Sequence, residues 1–281
     1  MFRKPYYLIP VALAVCLVQN ASGQYNWSGA DNNGLWSDPN NWVQLVVPPA
    51  SAGDIFVDPV TYTGHVIIGA SDVVQNTGTL QGPEWGQTLD IYGTVIDGYA
   101  LSTVGSLTGP TSTLNLYGNG SVTAGDSFFV GEPWWAPGIQ NATVNLYDNS
   151  HVTANYVIVS GHLNIYGGTV TALNSGGLGL LTGTATTGGW GSTLVTDASR
   201  LIDIAGGGKL VVGGDITSQV NDLIARGILE GNGVVGNVNV DTTSDPGWTI
   251  VTAPEPSSIA LFGLGGFAMM LFFRRRASTV S

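Results

Sequence analysis

The chain has one cysteine, Cys16, and it lies in the first stretch of the sequence. Everything after it therefore lacks a thiol, which excludes disulfides and any Cys-ligated metal from the body of the protein. Basic residues are nearly as scarce. Lys and Arg total 8 against 19 Asp and Glu, and the first two and last three basic residues sit near the ends of the chain. Only Arg200, Lys209 and Arg226 remain between them, so the body is strongly acidic. Nucleic acid and anionic glycans meet like charge on such a surface, and neither is expected as a partner. Histidine is limited to His65, His151 and His162, with no two at metal-ligand spacing. No Gly-x-Ser-x-Gly elbow occurs in an α/β setting. The run Asp31-Asn32-Asn33-Gly34 begins like a calcium loop, but Trp42 stands where an EF-hand requires its bidentate Glu; an Asn/Asp-rich turn is the expected structure. No cofactor and no metal is implied. Long amphipathic helical patterns are almost absent.

The two ends carry the clearest signals. Arg3 and Lys4 precede an apolar stretch from Tyr6 to Val18, followed by Ala21-Ser22-Gly23. A positive start, an apolar centre and small residues before Gln24 form a secretory signal peptide, residues 1–23, cut between Gly23 and Gln24. Cys16 belongs to its apolar centre, because Val15 is too large for a lipoprotein box. At the other end, Pro254-Glu255-Pro256 leads into an apolar run from Ile259 to Phe273 and then Arg274-Arg275-Arg276. Arginines after an apolar span stay on the cytoplasmic side, which puts the body outside. The run covers only about 22 Å as a helix against a hydrocarbon core of ~30 Å, and Gly263, Gly265 and Gly266 weaken it further. A marginal single span suits a segment that is recognised and processed.

Between the ends, short apolar runs alternate with Gly-rich turns, and a repeat is visible. Leu89-Asp90-Ile91-Tyr92, Leu114-Asn115-Leu116-Tyr117, Val144-Asn145-Leu146-Tyr147 and Leu163-Asn164-Ile165-Tyr166 share one pattern. Each is followed by a second element: Val95-Ile96, Val122-Thr123, Val152-Thr153 and Val170-Thr171. Two or three short strands per unit of twenty-odd residues fit the coils of a right-handed parallel β-helix, an all-β solenoid. Period-two alternation points Leu114 and Leu116 inward and Asn115 outward, so Asn115→Asp is expected to be mild. Stacking puts Asp90, Asn115, Asn145 and Asn164 in one column and the four tyrosines in another, the ladder arrangement that stabilises stacked β structure. The uneven repeat length calls for loops at one corner, such as 132–138. Asp215 is placed to cap a short helix over 216–225 that Gly227 ends. Strands are expected to resume at Ile228-Leu229, Gly233 to Val240 and Trp248 to Thr252. Trp27, Trp36 and Trp42 are suited to plug the first coil.

The C-terminal triplet, span and arginine cluster together resemble the PEP-CTERM sorting domain of Gram-negative bacteria. The resemblance implies export through the Sec translocon, anchoring in the inner membrane, and then processing by an exosortase near Pro254-Glu255-Pro256. It also implies a final place at the cell surface or in an exopolysaccharide matrix. The repeats and the alternating Gly/Val ending more loosely resemble autotransporter-like β-helical proteins. The expected organisation is a signal peptide at 1–23, a capping region at 24–60, solenoid repeats at 61–252, a sorting segment at 253–276 and a tail at 277–281.

The expected role is a non-catalytic structural or adhesive protein. A carbohydrate-active β-helix enzyme is the alternative, since Glu84, Asp126, Glu132 and Asp148 lie near aromatic residues and glycosidases use paired carboxylates. Glycan binding is the other alternative. Trp134 and Trp135 are its candidate residues, with the tyrosine column as a second platform, and a neutral exopolysaccharide is the partner the acidic body would tolerate.

Overall fold

The structure is a computed structural model and describes residues 23–57, 64–84, 86–103, 110–131, 141–180 and 201–255. These residues are mostly β, with one short α-helix, and the strands form three sheets rich in parallel pairs. The first sheet contains His65–Ile68, Thr88–Ile91, Ser112–Leu116, Ala142–Leu146, His162–Ile165, Leu201–Ile204, Leu229–Gly231 and Val234–Val235. The second contains Val73–Asn76, Thr94–Asp97, Ser121–Ala124, His151–Ala154, Thr169–Ser175, Lys209–Gly213, Trp248–Thr252 and Asn239–Asp241. The third runs from Tyr25–Asn26 and Ile55–Phe56 through Thr79–Gln81, Ala100–Thr103, Ser127–Val130 and Tyr156–Val159 to Leu178–Leu180. Through the middle of the chain each strand pairs in parallel with the corresponding strand one repeat earlier and one repeat later. This is the order of a stacked coil, consistent with a β-helix or solenoid.

Alternation fills the interior. Leu89, Leu114, Val144, Leu163 and Ile202 stand in register down the first sheet and are fully buried. Val95, Val122, Val152, Val170 and Leu210 do the same in the second. Leu80, Leu101, Phe128, Val157 and Leu178 do so in the third. One continuous apolar column results, and its stability is a sum of contacts between neighbouring coils.

The corners explain the uneven repeat. Connections from first to second sheet are short, as in Ile91 to Thr94 and Ile165 to Thr169, and those from second to third sheet are equally short. The connections from the third sheet to the next strand of the first vary widely: Thr103 to Ser112, Val130 to Ala142, Val159 to His162 and Leu180 to Leu201. Most of the length variation therefore enters at one corner. In the shortest of these turns Gly161 is obligatory, because a Cβ there would stand 2.3 Å from the carbonyl oxygen of Ala142.

Both ends of the stack are closed. At the N-terminal end the backbone of Gly34 and Trp36 bonds to Ile67, the outermost strand of the first sheet. Trp27, Trp36 and Trp42 pack together with ring centroids 4.6–6.4 Å apart and are buried. Asp31, Asn33, Asp38, Asn40 and Asn41 bond to one another around this turn, so the Asn/Asp cluster satisfies itself as a turn. At the C-terminal end the pairing changes from parallel to antiparallel. Trp248–Thr252 lies antiparallel on Lys209–Gly213, and Val234–Val235 on Leu229–Gly231. The helix Thr217–Ala225 takes the place of a third-sheet strand. It buries Val220 and Leu223, and Gln219 donates to the carbonyl of Leu178 on the last strand of that sheet. The first sheet is thus covered at its N-terminal edge and the third at its C-terminal end, and covered edges resist edge-to-edge association.

Two local expectations need correction. Asp215 is one residue too early to be the helix N-cap, which is Ile216; its carboxylate instead accepts from the backbone and hydroxyl of Thr217. The run 233–240 is not one strand. Positive φ at Asn232, Gly233 and Gly236 turns it into two tight hairpin segments, because an end cap must reverse direction where a coil would advance.

Candidate functional site

The outer face of the first sheet carries a polar ladder. Asn164 Nδ2 donates to Asn145 Oδ1, Asn145 Nδ2 to Asn115 Oδ1, and Asn115 Nδ2 to Asp90 Oδ1, each at 2.8 Å. Every amide points the same way, and the row ends on a carboxylate, which only accepts. The other Asp90 oxygen lies 2.8 Å from Nδ1 of His65. Next to this row, at the corner leading to the second sheet, Tyr92, Tyr117, Tyr147 and Tyr166 stack with centroids 5.0, 5.0 and 5.7 Å apart. That spacing is close to the strand-to-strand distance of a sheet, so the rings inherit it from the backbone. Burial first, and then the nearby Asp90 charge, hold the Tyr117 hydroxyl above its ordinary range; Tyr166 is raised by burial and then by Asp203. Both remain neutral phenols at ordinary pH.

The tyrosine column is therefore poorly suited as a glycan platform. Sugar stacking uses the ring face, and here the faces between successive rings are spent on each other. The polar ladder also changes one expectation. Asn115 faces away from the core, yet it is only 8% exposed and sits between two bonded neighbours. Asn115→Asp removes the donor to Asp90 and sets two carboxylates side by side. A loss of about 1–3 kcal/mol is expected, read as a lowered melting temperature against wild type; an unchanged melt would mean that the ladder adds nothing.

Three of the four carboxylates considered for catalysis take part in local hydrogen bonds. Glu84 is buried and accepts from Gln81 Nε2, Asp126 accepts from the Ser127 hydroxyl, and Asp148 accepts from the Gly118 backbone. Glu132, Trp134 and Trp135 lie outside the described residues. The three histidines each begin a strand. Gly23 and Gln24 stand where the described chain starts. The Gly23 carbonyl accepts from Gly53, and pairing with Ile55–Phe56 starts at Tyr25.

At the other end, the last strand closes at Thr252, which pairs on both sides, with Lys209 and with Asn239. Ala253 packs on the core. The carbonyl of Pro254 accepts from Asn232 Nδ2 at 2.8 Å, and Glu255 is exposed. Residues 252–276 match the PEP-CTERM protein-sorting motif. The sorting motif therefore starts on the very residue where the last strand ends. It implies an exported surface protein that is anchored in a membrane and then processed, with an exosortase as the processing partner. No curated protein and no solved structure matches the chain. Among the described residues no helix is long and apolar enough to cross a membrane. Pro256, the run Ile259 to Phe273, and Arg274, Arg275 and Arg276 lie outside those residues, as does the apolar part of the signal peptide.

Asn232 is the residue at this end that the sequence did not single out. Asn232-Gly233 between two strands does signal a tight turn. Nothing in that dipeptide says that its amide reaches the backbone 22 positions further on.

Proposed function

We propose that the chain is a structural or adhesive protein of the bacterial envelope or exopolysaccharide matrix, acting without catalysis, its body a right-handed parallel β-helix. The handedness follows from the general rule for parallel strands joined by a crossover. The organisation that goes with this reading is a signal peptide at 1–23, a capping region at 24–60, repeats to 252, a sorting segment at 253–276 and a short tail. The likeness of the repeats to autotransporter-like β-helical proteins is part of the same reading.

One observation carries it: the sorting motif joins a closed stack of coils with no spacer. Six residues, Ala253 to Ser258, separate the last strand from the apolar run. Fully extended, they span at most about 20 Å. Before processing, the capped end of the body is thus held close to the outer membrane–water boundary, with the far cap at the opposite end of the stack. A rigid column presented in this way, with ladders along one side and closed ends, suits display or matrix-building.

The test is the fate of the full-length, tagged chain in a Gram-negative host that has its exosortase. Replacing Pro254, Glu255 and Pro256 together by Ala is expected to leave uncut precursor in the inner membrane, seen as a higher mass on gels and loss of surface product. Normal processing of that variant would overturn the sorting reading. A surface product that alters neither matrix retention nor cell adhesion when deleted would overturn the structural one.

A further inference from the structure

Resting on the sorting reading, we propose that Asn232 controls entry of the sorting motif into its processing enzyme, by holding the Pro254 carbonyl against the body until the two separate. The first residues of the motif belong to the fold. Thr252 is a ladder residue between two strands. Ala253 lies so close to the backbone of Gly231 that a Cβ there would come within 3.2 Å of the Ala253 Cβ. Pro254 is held by a side chain from the turn beside it. Glu255 is the first exposed residue of the motif.

The residue type fits this task. Asn232 has φ +55, a conformation that Asn adopts more readily than most residues. Its own N–H is spent on the carbonyl of Ile204, which continues the coil register. That fixes the backbone and aims the amide outward at Pro254. Proline has no N–H to give, so its carbonyl is the only backbone group through which this position bonds to anything. An enzyme that reads Pro254-Glu255-Pro256 as an extended strand needs that same carbonyl. Asn232 and the enzyme therefore compete for one acceptor. The short reach to the membrane sharpens the competition, because the motif has little free chain with which to bypass the latch.

The experiment follows precursor conversion by pulse-chase of the full-length protein in its host. Asn232→Gly keeps the positive φ and removes the amide. Asn232→Asp keeps the shape and replaces the donor by an acceptor. Both are expected to convert about two- to tenfold faster than wild type, the range set by losing one amide–carbonyl bond. Asn237→Ala is the control: it removes a different amide bond in the same cap, to the carbonyl of Gly231, without touching Pro254. Conversion of both Asn232 variants at the wild-type rate overturns the proposal. So does equal acceleration in Asn237→Ala, which would assign the effect to a loosened cap. Wild-type precursor that fails to convert at all, with or without exosortase, overturns the sorting reading itself and is distinguishable from either result.

Discussion

Leu114→Asp is expected to abolish the folded body. Leu114 is fully buried, in register between Leu89 on one coil and Val144 on the next. Burying a leucine contributes about 1.5–3 kcal/mol. Leaving an unpaired carboxylate in its place costs several more. A domain of this kind has about 5–15 kcal/mol in total. The position aggravates the loss, because a coil is held only by its two neighbours and a defect in the middle weakens both interfaces. The expected readout is loss of the β signal in circular dichroism together with insoluble protein. Thr143→Asp serves as the comparison. It lies on the neighbouring strand at a half-buried, outward position, paired with Thr113, and is expected to shift the melt by no more than about 1 kcal/mol. Leu114→Asp that melts like Thr143→Asp would show that this face does not form the core.

The second large effect is a fall in stability as pH rises from about 4 to about 7, traceable to Asp97. This carboxylate is 2% exposed and stands in the interior column of the second sheet, in register with Asn76 on one side and Ala124 on the other. Burial pushes its pKa up from the ordinary 3.8 to about 7, against bonds from the Tyr99 and Leu80 backbones and Asn76 that favour the charged form. The sign follows from which state binds the proton. Below about 4 both folded and unfolded chains carry it, and the group is neutral to stability. Between the two values the unfolded chain ionises first while the folded one keeps its proton, so unfolding is favoured progressively. Above about 7 the penalty is complete, at most about 4 kcal/mol for a shift of this size. Asn76 Oδ1 is buried without a hydrogen-bond partner, and turning that amide over would offer this acceptor to the Asp97 proton. The check is the melting temperature of wild type and Asp97→Asn from pH 4 to pH 8. The variant is less stable throughout its acid range, since one backbone N–H loses its acceptor, so the slopes are what matter. Wild type is expected to fall relative to the variant across this window; parallel curves would remove Asp97 as the cause.

The sequence was informative where a local pattern had only one physical reading. Period-two alternation with an Asn or Asp between two aliphatics determined which side chains go inward. The recurrence of Tyr after each such run determined that the rings stack, since coils that repeat in register bring equal positions together. The Asn115 row and the tyrosine column both appear as the spacing required. The order of Pro-Glu-Pro, apolar run and arginines identified the sorting motif without any structure, because that signal is linear and is read as such.

Tertiary structure decided what depends on contacts between distant segments. The switch from parallel to antiparallel pairing after Gly231 has no local signature, and 233–240 alternates like a strand although its positive-φ turns divide it. The burial of Asn115 came from its ladder neighbours, 25 and 30 positions away, which a two-faced reading of one strand does not count. Asp97 looks in sequence like any strand-end acid, and only the register beneath Asn76 encloses it. Asn232 reads as half of an Asn-Gly turn, and only the closing of the last strand brings Pro254 to its amide. In each case the sequence determined the direction in which a side chain points, while its surroundings were set by the coil above and the coil below.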